Sequence, residues 1–485
     1  MLKSVTQPER AGWAAPAVAI VLAITAFRVC LLAFNRMDLF VDEAQYWLWG
    51  QELAFGYYSK PPMIGWVIRF FTDLAGSDAP FWVRLPAPLF HGATALILGS
   101  IAAHVFGRRA GILVAAGFAT LPMVALSSIL ISTDTIMFPF LALALAGYLR
   151  LLEKSAPWWA VLTGAAVGLA FLSKYAAIYY LICAPIAAAL IPQARPRLRD
   201  ILIALVAFLV VISPNIIWNV LNGFTTVEHT LDNADWVRDP SQKAGLSLAK
   251  LSEFLISQFA VFGPVLFGAL IWQSLRARKQ SDARQFLLIF TLPILAVVCV
   301  QALLSGAYAN WAAAAYLAGT VTVIPWMTPR WLVASFVVNG ALSLALPIIG
   351  VFAETPATQD SAALKRYTGR DEMSLQIIET ALRTGTTDVV AQNRDILADL
   401  FYTGRDSGLS FYALPTTGRA AHHYALKYPL PDETAGPVLY IADSRRPPVC
   451  QPDAQPVTTI SPTSGTYGGK TKRLYLVPGD CWAAP

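Results

Sequence analysis

Charge is scarce in this chain. Only 14% of its 485 residues are Asp, Glu, Lys or Arg, while 56% are hydrophobic. Soluble domains carry about 25% charged residues. A soluble globular protein is therefore excluded, and a mean hydropathy of +0.53 marks a polytopic membrane protein. Cysteine is rare as well, at five, and Cys30, Cys183 and Cys299 fall in apolar runs where they read as packing residues. Walker, dinucleotide, zinc-protease and nucleophile-elbow motifs are all missing. No internal repeat and no long low-complexity tract stands out. No small-residue cleavage site follows the first apolar run, so residues 12–34 read as a retained helix rather than a secretory signal.

Long apolar runs are what the chain does have. Runs of roughly 17–25 residues mark membrane-spanning helices. They occur near 12–34, 82–105, 110–127, 134–150, 158–173, 175–191, 201–218, 251–273, 286–304, 309–327 and 331–351. The expected fold class is an α-helical polytopic membrane protein of about eleven spans with a small C-terminal α/β domain.

The net charge of +6 matters less than where the charges lie, and it implies no nucleic-acid partner. Lys3 and Arg10 precede the first span, Arg108 and Arg109 follow the second, and Arg150 and Lys154 follow the fourth. Arg195, Arg197 and Arg199 follow the sixth, Arg276, Arg278, Lys279 and Arg284 the eighth, and Arg330 the tenth. With an odd number of spans these fall on one face, which the positive-inside rule makes cytoplasmic. The other face then carries the loops 35–81 and 219–250, the turn before Asp134, Lys174 and the tail. Arg69, Arg238 and Lys243 also lie there, in the longer loops.

Two domains are expected, a membrane domain over 1–352 and an extracytoplasmic one over 353–485. The tail turns Pro-, Gly- and Thr-rich, with short apolar runs at Val438–Ala442 and Leu474–Val477 and a helical pattern over Asn393–Tyr402. Cys450 and Cys481 lie in it, and an oxidising compartment would favour a disulfide between them. His422 and His423 read as a solvated pair.

The chemistry centres on the first outer loop. Asp42 and Glu43 stand in Val41-Asp-Glu-Ala-Gln-Tyr-Trp47, and Lys60 follows Gly56-Tyr-Tyr58-Ser59 and precedes Pro61-Pro62. On a short interfacial helix, successive positions diverge by about 100°. One carboxylate then works as a base while the other caps the helix, unless both merely cap. The prolines stiffen the backbone beside Lys60, whose point charge suits a phosphate, although a snorkelling lysine would look the same. Arg84, Asp134 and Lys174 fall at one depth on the same face, where ionisable groups build a polar cavity. Asp134 could equally serve as a helix cap after Ser132 and Thr133.

Tyr58, Tyr308, Asn310 and Trp311 add aromatic and amide groups, and the 219–250 loop adds His229, Asn233 and Trp236. Such polar and aromatic density suits sugar hydroxyls. Glu228, His229 and Asp232 match no zinc or calcium spacing, so no metal ligands are expected and a divalent metal has only weak support.

These motifs resemble the GT-C fold glycosyltransferases that use polyprenyl-phosphate sugars, through bacterial relatives of the protein O-mannosyltransferases and the lipid A aminoarabinose transferases. The resemblance runs through Asp42-Glu43, Gly56–Pro62, Arg84-Leu85-Pro86, Ser132-Thr133-Asp134, Ser173-Lys174-Tyr175 and Asn310-Trp311-Ala312. It implies Asp42 as base and Lys60 as the ligand of the lipid phosphate. That family often has an acidic residue before the lysine, where a metal has been placed. Ser59 stands there instead.

The resemblance further implies a bacterial inner-membrane enzyme with its active site and tail facing the periplasm. It would take a polyprenyl-phosphate sugar donor and a lipid, glycan or protein acceptor, with no cofactor required. A single base without a second nucleophilic carboxylate implies inversion. The competing reading is a multispan transporter or flippase of lipid-linked sugars, which usually shows repeats and helices broken near the midplane. Sugar, prenol and acceptor identities are not legible.

Overall fold

The structure is a computed structural model that describes residues 12–233, 245–276, 281–358, 360–416, 418–442, 447–448 and 450–482. Lys3, Arg10, Trp236, Arg238, Lys243, Arg278 and Lys279 lie outside the described residues. Two compact units emerge. The first comprises Met1–Ala33, Ser59–Val67 and Arg84–Ile348, and the second Phe34–Tyr58, Ile68–Val83 and Ile349–Pro485. The second unit also takes in most of the first outer loop.

The first unit is helical throughout. Among the described residues, six helices are long and apolar enough to cross a membrane, or seven if one bent pair counts as a span. About eleven spans were expected, and the difference has identifiable local causes. The run expected over 251–273 is two helices, Leu248–Val261 and Pro264–Ser274, bent by 115°. Gly263 sits between them at φ +91°, which glycine adopts without penalty, and Pro264 opens the second helix. The run over 110–127 stops at Ala119 and restarts at Pro122. Pro157–Ser173, Tyr175–Leu190 and Ala315–Trp326 are apolar but shorter.

Close helix packing depends on small residues. Pro157–Ser173 carries Gly164 and Gly168 one turn apart and packs against Leu198–Leu221. A Cβ at Gly164 would stand 1.9 Å from the Ala204 carbonyl oxygen, and one at Gly168 would stand 2.8 Å from Val211. Only glycine permits this approach, as expected where lipid supplies no hydrophobic drive for helix association.

Polar contacts collect toward two ends of this unit. At one end His104 meets Glu153, Ser155 meets Asp200, and Arg199 donates to Ser155 and Asp200. The loops after the second, fourth and sixth expected spans therefore share that end. Asp134, Lys174 and Asn310 meet one another elsewhere, as described below. Between the helices, Arg28 is buried in Ala14–Ala33. It donates to the Ala119 carbonyl at 2.6 Å and to Ser343 Oγ at 2.8 Å, while His91 Nδ1 contacts Ser128 Oγ at 2.9 Å. An arginine inside an apolar helix persists because such donors and acceptors surround it.

The second unit is built on a five-stranded sheet of order β2-β1-β3-β5-β4. Its strands are β1 (Asp388–Ala391), β2 (Ser410–Ala413), β3 (Pro437–Ala442), β4 (Thr458–Ile460) and β5 (Lys472–Pro478). β1 pairs in parallel with β2 and β3, and β5 runs antiparallel to β3 and β4. β3 and β5 coincide with the two apolar runs read as strands. The expected helix appears as Arg394–Thr403, with the Asn393 side chain accepting from the Asp395 and Ile396 amides at 2.8 and 3.3 Å. A Cys450–Cys481 disulfide closes the end of the unit, with its Cα atoms 5.2 Å apart.

A buried ionic network ties residue 38 to this α/β core. Arg370 Nη1 donates to both Asp399 oxygens at 3.1 Å, Tyr467 donates to Asp399, and the Arg370 amide donates to Asp38 Oδ2 at 2.7 Å. Burial pushes the Asp399 carboxyl up to about 6 despite Arg370. Burial and the charge of Asp371 push Asp38 up to about 7.

The histidine pair is not solvated. His423 is 4% exposed and meets Trp49 edge to face with centroids 5.7 Å apart. His422 is half-buried and caps His423–Lys427 through its Nδ1, which accepts from the Ala425 amide at 3.1 Å. The aromatic belt of residues 46–58, folded into the same unit, supplies the cover that sequence inspection could not foresee.

Burial pushes the His423 imidazole down from 6.5 to about 3, aided by the charges of Lys427, His422 and Arg394. Between those values the unfolded chain binds the proton more tightly. The stability His423 confers above pH 6.5 is thus lost as pH falls toward 3. Asp38 and Asp399, with raised pKa values, work in the opposite direction. Replacing His423→Phe should reduce the acid loss of this unit's stability relative to wild type, read as protease resistance across that pH range. Identical acid profiles in the two proteins would contradict this account of the buried imidazole.

Candidate active site

The acidic pair lies on the helix Val41–Gln51 of the second unit, and its two members differ sharply. Glu43 is 2% exposed, and its Oε2 accepts from the Phe40 amide at 2.9 Å, closing the helix start on itself. The Asp42 side chain is 45% exposed, and its Oδ1 accepts from Arg394 Nη2 at 2.5 Å. Arg394 Nε also donates to Gln45 Oε1 at 3.0 Å. Burial works against the Arg394 charge, but the charge and hydrogen bond of Asp42 outweigh it and raise the guanidinium pKa. Successive helical positions thus point one carboxylate into the fold and the other outward.

Aromatic packing fixes this helix. Trp49 stacks on Tyr57 with centroids 4.8 Å apart, and the Tyr57 hydroxyl donates to the Trp49 carbonyl at 2.7 Å. Trp47 meets Tyr402 edge to face at 5.0 Å and donates from Nε1 to Asp78 Oδ1 at 2.8 Å. Tyr58 is buried and donates to the Ala420 carbonyl at 3.0 Å, so its hydroxyl is engaged in holding the fold.

The remaining candidates belong to the first unit. Lys60 is half-buried and is followed by the buried Pro61 and Pro62. Arg84 is fully buried at the end of Pro80–Arg84. Lys174 Nζ contacts both Asp134 oxygens, at 2.8 and 2.7 Å, and Asn310 Nδ2 donates to Asp134 Oδ2 at 2.8 Å. Three residues scattered over 176 positions are thus brought together. Asp134 does lie in the first turn of its helix, but Ser132 is the cap, accepting from the Thr135 amide at 3.3 Å. The lysine charge is largely neutralised by this pairing, which makes Lys174 a cross-link between helices before it is a phosphate ligand.

Trp311 and Tyr308 meet at 5.7 Å, with Tyr308 74% exposed. His229 is half-buried on Thr225–Asn233, and the Asn233 side chain lies outside the described residues. Among the described residues no group of three or more His, Cys, Asp or Glu gathers to hold a metal, Glu228, His229 and Asp232 included. Arg394 was missed by sequence reasoning. The helix it opens was legible, but nothing local to residue 394 names a partner at residue 42.

Comparison with known proteins decides the class. Residues 59–218 match the family described as dolichyl-phosphate-mannose-protein mannosyltransferase. The chain is 41% identical over 472 residues to the lipid A galacturonosyltransferase RgtD of Rhizobium johnstonii, covering 96% of this chain and 98% of that one. The chain belongs to the GT-C membrane glycosyltransferases.

The fold of this transferase agrees. It matches ArnT from Cupriavidus metallidurans, both in the apo state and bound to undecaprenyl phosphate, with a TM-score of 0.65. Identity there is 14%, over 98% of this chain and 99% of that one. Membership in an enzyme family sets aside the transporter reading of the transferase.

Proposed function

We propose that this glycosyltransferase moves a sugar from a polyprenyl-phosphate donor to a lipid acceptor, with inversion, at the periplasmic face of the inner membrane. Asp42 is the general base and Lys60 holds the donor phosphate. The observation that carries the reading is the split between the adjacent carboxylates. Glu43 is locked in its own helix start, while Asp42 keeps Oδ2 without a partner among the described residues.

The charge balance of the reaction explains why a cation is needed. The donor is a phosphodiester with one negative charge, and the released lipid monophosphate carries up to two. Charge therefore develops on the leaving group, where a preplaced ammonium stabilises the transition state more than the ground state. The acceptor proton passes to Asp42 and later to water. Lys60 falls within the stretch matching a family named for a lipid-phosphate sugar, which supports its place at the donor. The name of the 41% identical relative points to a hexuronic acid as the sugar and to lipid A as the acceptor.

The protein purified in mild detergent should carry a lipid-phosphate-linked sugar detectable by mass spectrometry, with a mass that includes a uronic acid. Loading with a nucleotide sugar instead, and no lipid-linked species, would contradict the donor assignment.

A further inference from the structure

A carboxylate that accepts a proton must be ionised and must offer the acceptor an oxygen with an open lone pair. Asp42 is served in the second respect by a residue 352 positions further along the chain. Arg394 is held at two points on one face of Val41–Gln51, by Asp42 Oδ1 at 2.5 Å and by Gln45 Oε1 at 3.0 Å. Asp42 and Gln45 are three residues apart and so neighbours on that face.

The guanidinium is placed by its own helix. Arg394 is the first residue of Arg394–Thr403, whose start Asn393 caps. That helix packs against Val41–Gln51, and the Trp47–Tyr402 contact at 5.0 Å sets their register. Residue 42 faces 394 and residue 47 faces 402, so the helices run parallel. Two positive helix ends therefore flank the Asp42 carboxylate.

We propose that Arg394 is a positioning residue for Asp42, holding the carboxylate turned so that Oδ1 is engaged and Oδ2 faces the acceptor. The proposal rests on the reading of Asp42 as the base. In the step it serves, the acceptor O–H proton moves to Oδ2 as the acceptor oxygen bonds to the anomeric carbon. The bond from that carbon to the phosphate oxygen breaks, and its electron pair leaves with the lipid phosphate. Arg394 exchanges no proton, because a guanidinium stays protonated throughout. Both partners are partly exposed, at 37% for Arg394 and 45% for Asp42, so the pair adds little to stability and its loss should leave the fold intact.

The test uses the full chain in nanodiscs with a synthetic polyprenyl-phosphate galacturonic acid as donor and lipid A as acceptor. Arg394→Ala should lower kcat by about 100-fold, the scale of a misplaced catalytic group, with the donor KM little changed. Guanidinium ion in the buffer should restore part of that kcat, and Arg394→Lys should fall between wild type and Arg394→Ala. Adding Arg394→Ala to Asp42→Asn should cost nothing further. A purely structural role would give neither the rescue nor the split between kcat and KM.

Undiminished kcat in Arg394→Ala would overturn the proposal. So would a loss confined to donor KM, which would make Arg394 a ligand of the donor's anion. Should Arg394→Ala fail to fold, Arg394→Lys decides: lowered kcat at constant donor KM supports the proposal, and unchanged kcat overturns it. An inactive Asp42→Asn beside a fully active Arg394→Ala would overturn this inference alone. An active Asp42→Asn would overturn the base assignment as well.

Discussion

Asp42→Asn is expected to lower transfer by about 10²–10⁴-fold, the usual contribution of a positioned general base. The amide keeps the shape of the carboxylate and can still accept from Arg394, so folding and donor binding should be nearly unchanged. What it loses is the basic oxygen. Glu43→Gln supplies the contrast, because Glu43 Oε2 is spent on the Phe40 amide inside its own helix start. That variant should weaken the helix start, by about 1 kcal/mol on the scale of lost caps, more than it affects chemistry. Transfer rates per folded molecule, with folding checked by thermal melting, separate the two. If Asp42→Asn retains more than about a tenth of wild-type activity where about 10²-fold loss is expected, and Glu43→Gln does not, the wrong carboxylate has been assigned.

Lys60→Ala is expected to reduce kcat/KM for the donor by about 10²–10³-fold, the cost of removing one preorganised group from developing charge. Lys60→Arg should lose much less, because a monophosphate needs charge at this point more than it needs a planar fork of donors. Pro61 and Pro62 fix the backbone after the lysine, so either variant should leave the local chain path unchanged. Donor affinity measured by equilibrium binding gives the clearest reading. Equal affinity in wild type and Lys60→Ala would remove Lys60 from the phosphate.

The membrane helices were legible because an apolar run of span length has few other uses. Their interruptions were less so. Gly263-Pro264 and Pro122 stand in plain view, yet a hydropathy run passes through them, and only the observed bend of 115° divides 251–273 into two helices. The tail showed β3 and β5 through apolar runs and the helix Arg394–Thr403 through periodicity, while β1, β2, β4 and the helix Arg370–Thr384 went unread.

Sequence alone could not show that residues 34–58 fold with that tail. Trp47 and Trp49 stand on a helix read as interfacial, and Tyr58 read as a binding residue, because their partners Tyr402, His423 and Ala420 lie more than 300 residues away. The same distance hid Arg394. Arg28 escaped notice for another reason: one charge does not break an apolar run, and its partners Ala119, Ser128 and Ser343 come from separate segments. Within the acidic pair, local reasoning expected the two carboxylates to diverge, and Glu43 is the one that closes its own helix start, through the Phe40 amide.

The central claim, transfer from a lipid-linked donor by Asp42, is tested most directly in liposomes holding the purified chain and lipid A. Either a polyprenyl-phosphate-linked galacturonic acid or the corresponding nucleotide sugar is supplied, and product is followed by mass spectrometry. The account predicts galacturonylated lipid A from the lipid-linked donor with wild type, none with Asp42→Asn, and none from the nucleotide sugar with either. Product formed from the nucleotide sugar, or formed equally by Asp42→Asn from the lipid-linked donor, would contradict it.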